Sequence, residues 1–215
     1  NIVTRTFRRM AAAAACFSFP FLVSCLKSEC VQLADDLKQA NASEMRNILA
    51  RECDPNLANS DGYTLLDLCV WKRDRAGAQF LIDNGAKVNN DSVNGPPLHT
   101  AIRRHDLEMV KFLLANGADV NKKDRQGMPP ILLACIESQI EIIKLFLRKG
   151  VDVDSTEQHG RTSLIYAARF GNYDLVKILL EHGADPRKMG INNTYSAMDA
   201  ATRQDIKDLL QSYTK

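Results

Sequence analysis

Six cysteines and four histidines are the side chains of this 215-residue sequence with the most reactive chemistry, and their spacing limits what they can do. Cys16, Cys25, Cys30, Cys53, Cys69 and Cys135 contain no C-x-x-C pair, so neither a zinc site nor a dithiol redox motif is signalled. His99, His105, His159 and His182 are scattered, and a metal site needs ligands that converge. The stretch DVDSTEQHG (152–160) has the acidic alternation of a calcium loop, but Glu157 stands where such a loop requires glycine. No G-x-x-x-x-G-K, G-x-S-x-G or H-E-x-x-H occurs, and no kinase signature. The expectation is a protein that is not an enzyme, with no catalytic residue, no metal and no cofactor.

Composition narrows the class further. A hydrophobic fraction of 45% and a charged fraction of 25% suit a folded globular or repeat protein rather than a disordered one. Charge is unevenly placed. Residues 1–27 carry Arg5, Arg8, Arg9 and Lys27 and no acid; setting those four aside leaves 24 basic residues against 26 acidic ones. A chain balanced in that way lacks the basic face that phosphate backbones demand, so nucleic acid is not expected as a partner.

The elements that would position any site recur with a period near 33 residues. FLIDNGAKVN, FLLANGADVN, LFLRKGVDVD and ILLEHGADPR end four similar units, with Gly85, Gly117, Gly150 and Gly183 spaced by 32, 33 and 33 residues. Upstream lie DGYTLLDLCV, NGPPLHTAI, QGMPPILLAC and HGRTSLIYAA, each a short apolar helix whose start is marked by Thr64, Pro96, Pro129 or Thr162. A second helix follows, with apolar residues at i, i+3 and i+4 as in Leu107, Val110, Leu113 and Leu114. The glycine then ends it in the left-handed conformation. One unit cannot bury its apolar face alone, so the units must stack.

At these residues the chain resembles the ankyrin-repeat family. PPLHTAIRRHDLEMVKFLLANGADVN (96–121) follows the family pattern nearly throughout, and the other units follow it more loosely. The second unit is one residue short just after Gly95. The resemblance implies an all-α solenoid of stacked helix-turn-helix units with β-hairpin-like loops: a cap at 30–58, repeats at 59–90, 91–123, 124–156 and 157–189, and a C-terminal cap at 190–213. It also implies that Cys69 and Cys135 are buried core thiols and that His99 ties neighbouring hairpins together by hydrogen bonds.

Function follows by the same route. In the family, the inner helices and the hairpin tips meet a partner protein, and the variable inner-helix positions here are Trp71, Lys72, Arg103, Arg104, Ile136, Glu137, Arg169 and Phe170. The tips add Tyr63, Arg125, Met128, His159 and Arg161. Large apolar groups flanked by arginines suit an acidic partner segment with apolar anchors, bound by a monomer. A scaffold and an inhibitor or immunity-type protein that blocks one enzyme or toxin would use the same face.

The N-terminal stretch bears on location. NIVTRTFRRM is basic, AAAAACFSFPFLV is uncharged, and LVSC follows, so residues 1–24 read as a signal peptide and 25–29 as a short tether. Leu22-Val23-Ser24-Cys25 is similar to the bacterial lipoprotein signal, which implies acyl chains on Cys25 and a periplasmic membrane surface as the location, with no other membrane contact. Two alternatives stay open: a cytoplasmic adaptor starting at Met10, and a mitochondrial presequence. Cys30 begins the first cap helix and Cys53 follows the second. An antiparallel hairpin brings those ends together, so a disulfide is geometrically allowed and would persist in an oxidising compartment.

Overall fold

The structure, a computed structural model, describes residues 29–35, 42–51, 53–190 and 195–214. The leader-like stretch 1–24 and the lipidation candidate Cys25 lie outside the described residues. Helical residues 29–35 form α1, followed by α2 (Ala42–Leu49), α3 (Leu65–Trp71), α4 (Arg75–Asp83), α5 (Pro97–Arg103) and α6 (Leu107–Ala115). Then come α7 (Pro130–Ile136), α8 (Ile140–Arg148), α9 (Ser163–Arg169), α10 (Tyr173–Glu181), α11 (Ala197–Ala200) and α12 (Gln204–Ser212). Among the described residues β structure is limited to the isolated antiparallel bridges Ala58–Thr64 and Ser92–Gly95. This is an all-helical repeat solenoid.

Local chemistry explains where each helix starts and stops. Thr64 and Thr162 accept from the backbone N–H groups of Asp67 and Ile165, filling donors that the first turn leaves empty. Pro96 and Pro129 stand at the same place in α5 and α7, with a second proline at the first helical position. Three of the four outer helices are capped by a side chain, from Asp74, Asp106 and Asn172. Their ends are closed by glycines with positive φ, for example +86° at Gly117.

The short helices α3, α5, α7 and α9 stack into an inner row, and α4, α6, α8 and α10 pack behind them as an outer row. One continuous core results. Leu98, Ile102, Met109 and Leu113 fill the second repeat and Ile131, Ile143 and Phe146 the third, all fully buried. Small residues at Ala101, Ala134 and Ala167 let inner helices approach closely. Side-chain amides then tie one extended turn to the next. Asn56 donates to the Gly85 carbonyl (3.1 Å) and accepts from the Lys87 N–H (2.8 Å), and Asn89 repeats the pattern with Gly117 and Asp119.

The missing residue after Gly95 shows in one hairpin only. Elsewhere the closing bond spans four residues, as from the Asp124 N–H to the Met128 carbonyl (3.0 Å); here the Ser92 N–H reaches the Gly95 carbonyl (3.2 Å) across three. The turn tightens and the stack continues. At the N-terminal end, Cys30 and Cys53 are joined by a disulfide with their Cα atoms 5.8 Å apart. At the other end α11 is a single turn on α9, and α12 shows Gln204, Asp205, Asp208 and Gln211 to solvent.

Candidate protein-binding surface

Equivalent positions in stacked helices fall in rows. The last residues of the inner helices, Trp71, Arg103, Ile136 and Arg169, make one such row, and their C-cap neighbours Lys72, Arg104, Glu137 and Phe170 make a second. Trp71 and Phe170 stand out with 47% and 58% of their surface exposed, at opposite ends of the face. Ile136 between them is half-buried.

Each exposed aromatic sits in a small cluster. The Arg104 guanidinium lies 4.6 Å from the Trp71 ring centroid, a cation–π distance. Arg73 donates to the Arg104 carbonyl (2.7 Å) while its Nε lies 3.5 Å from the Asp106 carboxylate. At the far end the Tyr166 and Phe170 rings are tilted against each other with centroids 6.0 Å apart, and the Arg161 guanidinium lies 6.0 Å from the Tyr166 ring. Arg169 projects beside Phe170 and is exposed. Arg73 and Tyr166 therefore join the surface although sequence reasoning passed over them. Arg73 has a positive φ of +60°, and the turn that aims it has no readable signature of its own.

Arg103, expected on the partner-facing row, is also engaged within the molecule. It is half-buried and donates to the Asn94 carbonyl (2.6 Å) and to Asp124 Oδ2 (3.2 Å), a carboxylate almost wholly buried. With that charge already paired inside the hairpin row, Arg103 holds the tips in register. The other tip residues are also engaged locally. Tyr63 Oη accepts from Asn94 (3.4 Å), Arg125 donates to the Asp91 carbonyl (3.3 Å), and His159 Nδ1 meets Glu157 at 2.7 Å. Glu137 lies 3.3 Å from His105. Lys72 and Met128 are half-buried.

The remaining reactive groups are inside. His99 is fully buried, and burial lowers its pKa, so the neutral ring donates from Nε2 to the Met128 carbonyl of the next hairpin (2.8 Å). Burial pushes the Cys69 and Cys135 thiols up to about 12, which keeps them protonated and unreactive. Among the described residues no helix is long and apolar enough to cross a membrane.

Comparison with known proteins agrees with this architecture. A family model described as ankyrin repeats, in three copies, matches residues 37–124 and again 98–189. The sequence is 35% identical over 101 residues to the Saccharomyces cerevisiae protein named Probable 26S proteasome regulatory subunit p28, covering 45% of this chain and 44% of that one. It is 30% identical over 126 residues to Zygote-specific protein 3 of Chlamydomonas reinhardtii, covering 57% and 34%. The chain thus spans less than half the length of these relatives. Among solved structures, the ankyrin repeat domain of Bcl-3 superposes with a TM-score of 0.72 at 24% identity, over 79% of this chain and 77% of that one. The relatives share a module, and their names point to no common activity.

Proposed function

Because the chain belongs to the ankyrin-repeat family, whose members are protein–protein interaction modules, we propose that it binds a partner protein, without catalysis, on the face carrying Trp71 and Phe170. The observation that carries this reading is the exposure of two large aromatic rings at the ends of α3 and α9, Trp71 beneath the Arg104 guanidinium and Phe170 against Tyr166. Tryptophan and arginine are the residues that most often dominate interface energy. Arg73, Arg104, Arg161 and Arg169 surround the rings, which favours an acidic segment with apolar anchors. Binding should be measured for the full chain, the double variant Trp71→Ala/Phe170→Ala, and an outer-face control, Glu108→Ala/Lys144→Ala. The aromatic variant is expected to bind a protein recovered by the wild type at least about tenfold more weakly, with its thermal midpoint unchanged. Loss of binding in the outer-face control alone would move the site elsewhere.

We further propose an oxidising location, on the periplasmic side of a bacterial membrane, with acyl chains on Cys25 as the tether. Support comes from the Cys30–Cys53 disulfide, a bond kept in oxidising compartments, together with the lipoprotein-like residues 22–25. The intact mass of the protein from its host's membrane fraction should correspond to a chain starting at acylated Cys25. A soluble, unacylated chain with Cys30 and Cys53 as free thiols overturns this location.

A further inference from the structure

The N-terminal cap is cross-linked within itself by the Cys30–Cys53 disulfide. Among the described residues of the cap, Ala34, Met45 and Ile48 are buried beside the two bridged cysteines, and Leu33, Leu49 and Leu57 pack against the core in part. Ordering the cap costs conformational entropy at each fixed residue. The disulfide changes that balance by restricting the unfolded chain across a separation of 23 residues.

The clamp also reaches beyond the cap. Cys30 lies on α1, and Asp35 at the far end of those same helical residues accepts from the Ser60 N–H (2.9 Å) and hydroxyl (2.8 Å). Ser60 belongs to the first hairpin tip, which carries Tyr63 and leads through Thr64 into α3 and its last residue, Trp71. A line of connection therefore runs from Cys53 through the disulfide, α1 and Asp35 to the hairpin of the first repeat. Both bridged cysteines are buried, with 8% and 4% exposure, so a reductant reaches the sulfurs only when the cap opens. Among the described residues the free thiols are Cys69 and Cys135, both buried and kept protonated by that burial.

We propose that the Cys30–Cys53 disulfide is a redox clamp that orders the N-terminal end of the array: the oxidised chain holds the cap and first hairpin in place, and the reduced chain keeps repeats two to four but loses both. In the reducing step a dithiol's thiolate attacks one sulfur and displaces the other as a thiolate, which takes up a proton. The second thiol then resolves the mixed disulfide. Two electrons and two protons reach the protein, which gains two Cys thiols, and the reductant leaves as its own disulfide. The conformational change stands independently of the binding surface. Its consequence, a Trp71 end formed only in the oxidised protein, rests on the surface proposed above.

Hydrogen exchange of the full chain by mass spectrometry tests this, with and without dithiothreitol and in the double variant Cys30→Ser/Cys53→Ser. Reduction and the double variant are each expected to speed exchange in 29–35 and 53–64 at least tenfold, and to leave 130–181 within twofold. Unchanged exchange in 29–64, or acceleration spread evenly along the chain, overturns the clamp. A second variant, Asp35→Asn, keeps the bond and should loosen 59–63 alone. If it loosens the whole cap with the disulfide intact, the carboxylate and not the disulfide is the clamp. If native protein yields alkylated Cys30 and Cys53 without reductant, the bond is absent and the proposal fails. Loss of binding by Trp71→Ala with an unaltered redox response separates a correct surface from a mistaken clamp.

Discussion

Asp67 is fully buried at the seam between the first two repeats, at the position that holds His99, Leu132 and Ile165 in the next three. Its carboxylate accepts from the Thr64 hydroxyl (2.6 Å) and N–H (3.3 Å), and the Thr100 hydroxyl of the neighbouring repeat reaches it at 3.4 Å. Burial nonetheless outweighs these bonds and raises its pKa from 3.8 to about 6. A folded value above the unfolded one means that the group's stabilisation is fully present below about pH 4 and is lost as pH rises through about 6. Stability should therefore fall between pH 4 and 7, by on the order of 2 kcal/mol from this group. Asp67→Asn keeps an acceptor for Thr64 and should flatten that part of the profile in urea melts; parallel profiles for variant and wild type would rule the assignment out. The residue pattern TLLDLC marks a helix here, but which side of that helix meets Thr100 depends on the stacked neighbour. Arg103 shows the same limit: its type fitted an interface, and only the buried Asp124 across the hairpin shows where its charge goes.

Turn glycines link residue type to element geometry, and two of them separate conformational from steric requirements. Gly117 and Gly95 both have φ of +86°. Nothing lies within 4 Å of a Cβ built on Gly117, so Gly117→Ala should cost only the left-handed penalty, about 1 kcal/mol. A Cβ on Gly95 would stand 2.5 Å from that of Asp124, the carboxylate on which Arg103 rests. Gly95→Ala is therefore expected to be at least twice as destabilising by chemical denaturation. Equal losses would mean that the shortened hairpin yields to the added methyl. The period of 32 to 33 residues, the caps at Thr64 and Thr162 and the missing residue after Gly95 were all legible, because each is a local requirement of backbone geometry. The tight approach of Gly95 to Asp124 was not, since those residues belong to different repeats.

For the molecule as a whole, a repeat array is nearly one-dimensional, with each unit resting on its neighbours. That is why a single sequence carried so much here. The pattern of apolar residues, helix-start residues and glycines recurs in every unit, so the sequence alone determined the helical pairs and their stacking into an all-α solenoid. Tertiary structure decided what individual side chains do there. It set Trp71 and Phe170 outward in aromatic–arginine clusters, turned Arg103 inward, and brought Cys30 and Cys53 together at the base of the cap. The physical reason is range. Caps, turns and apolar periodicity act over a few residues of one chain segment, whereas exposure, charge pairing and the bridging of sulfurs 23 residues apart depend on how separate segments meet in space.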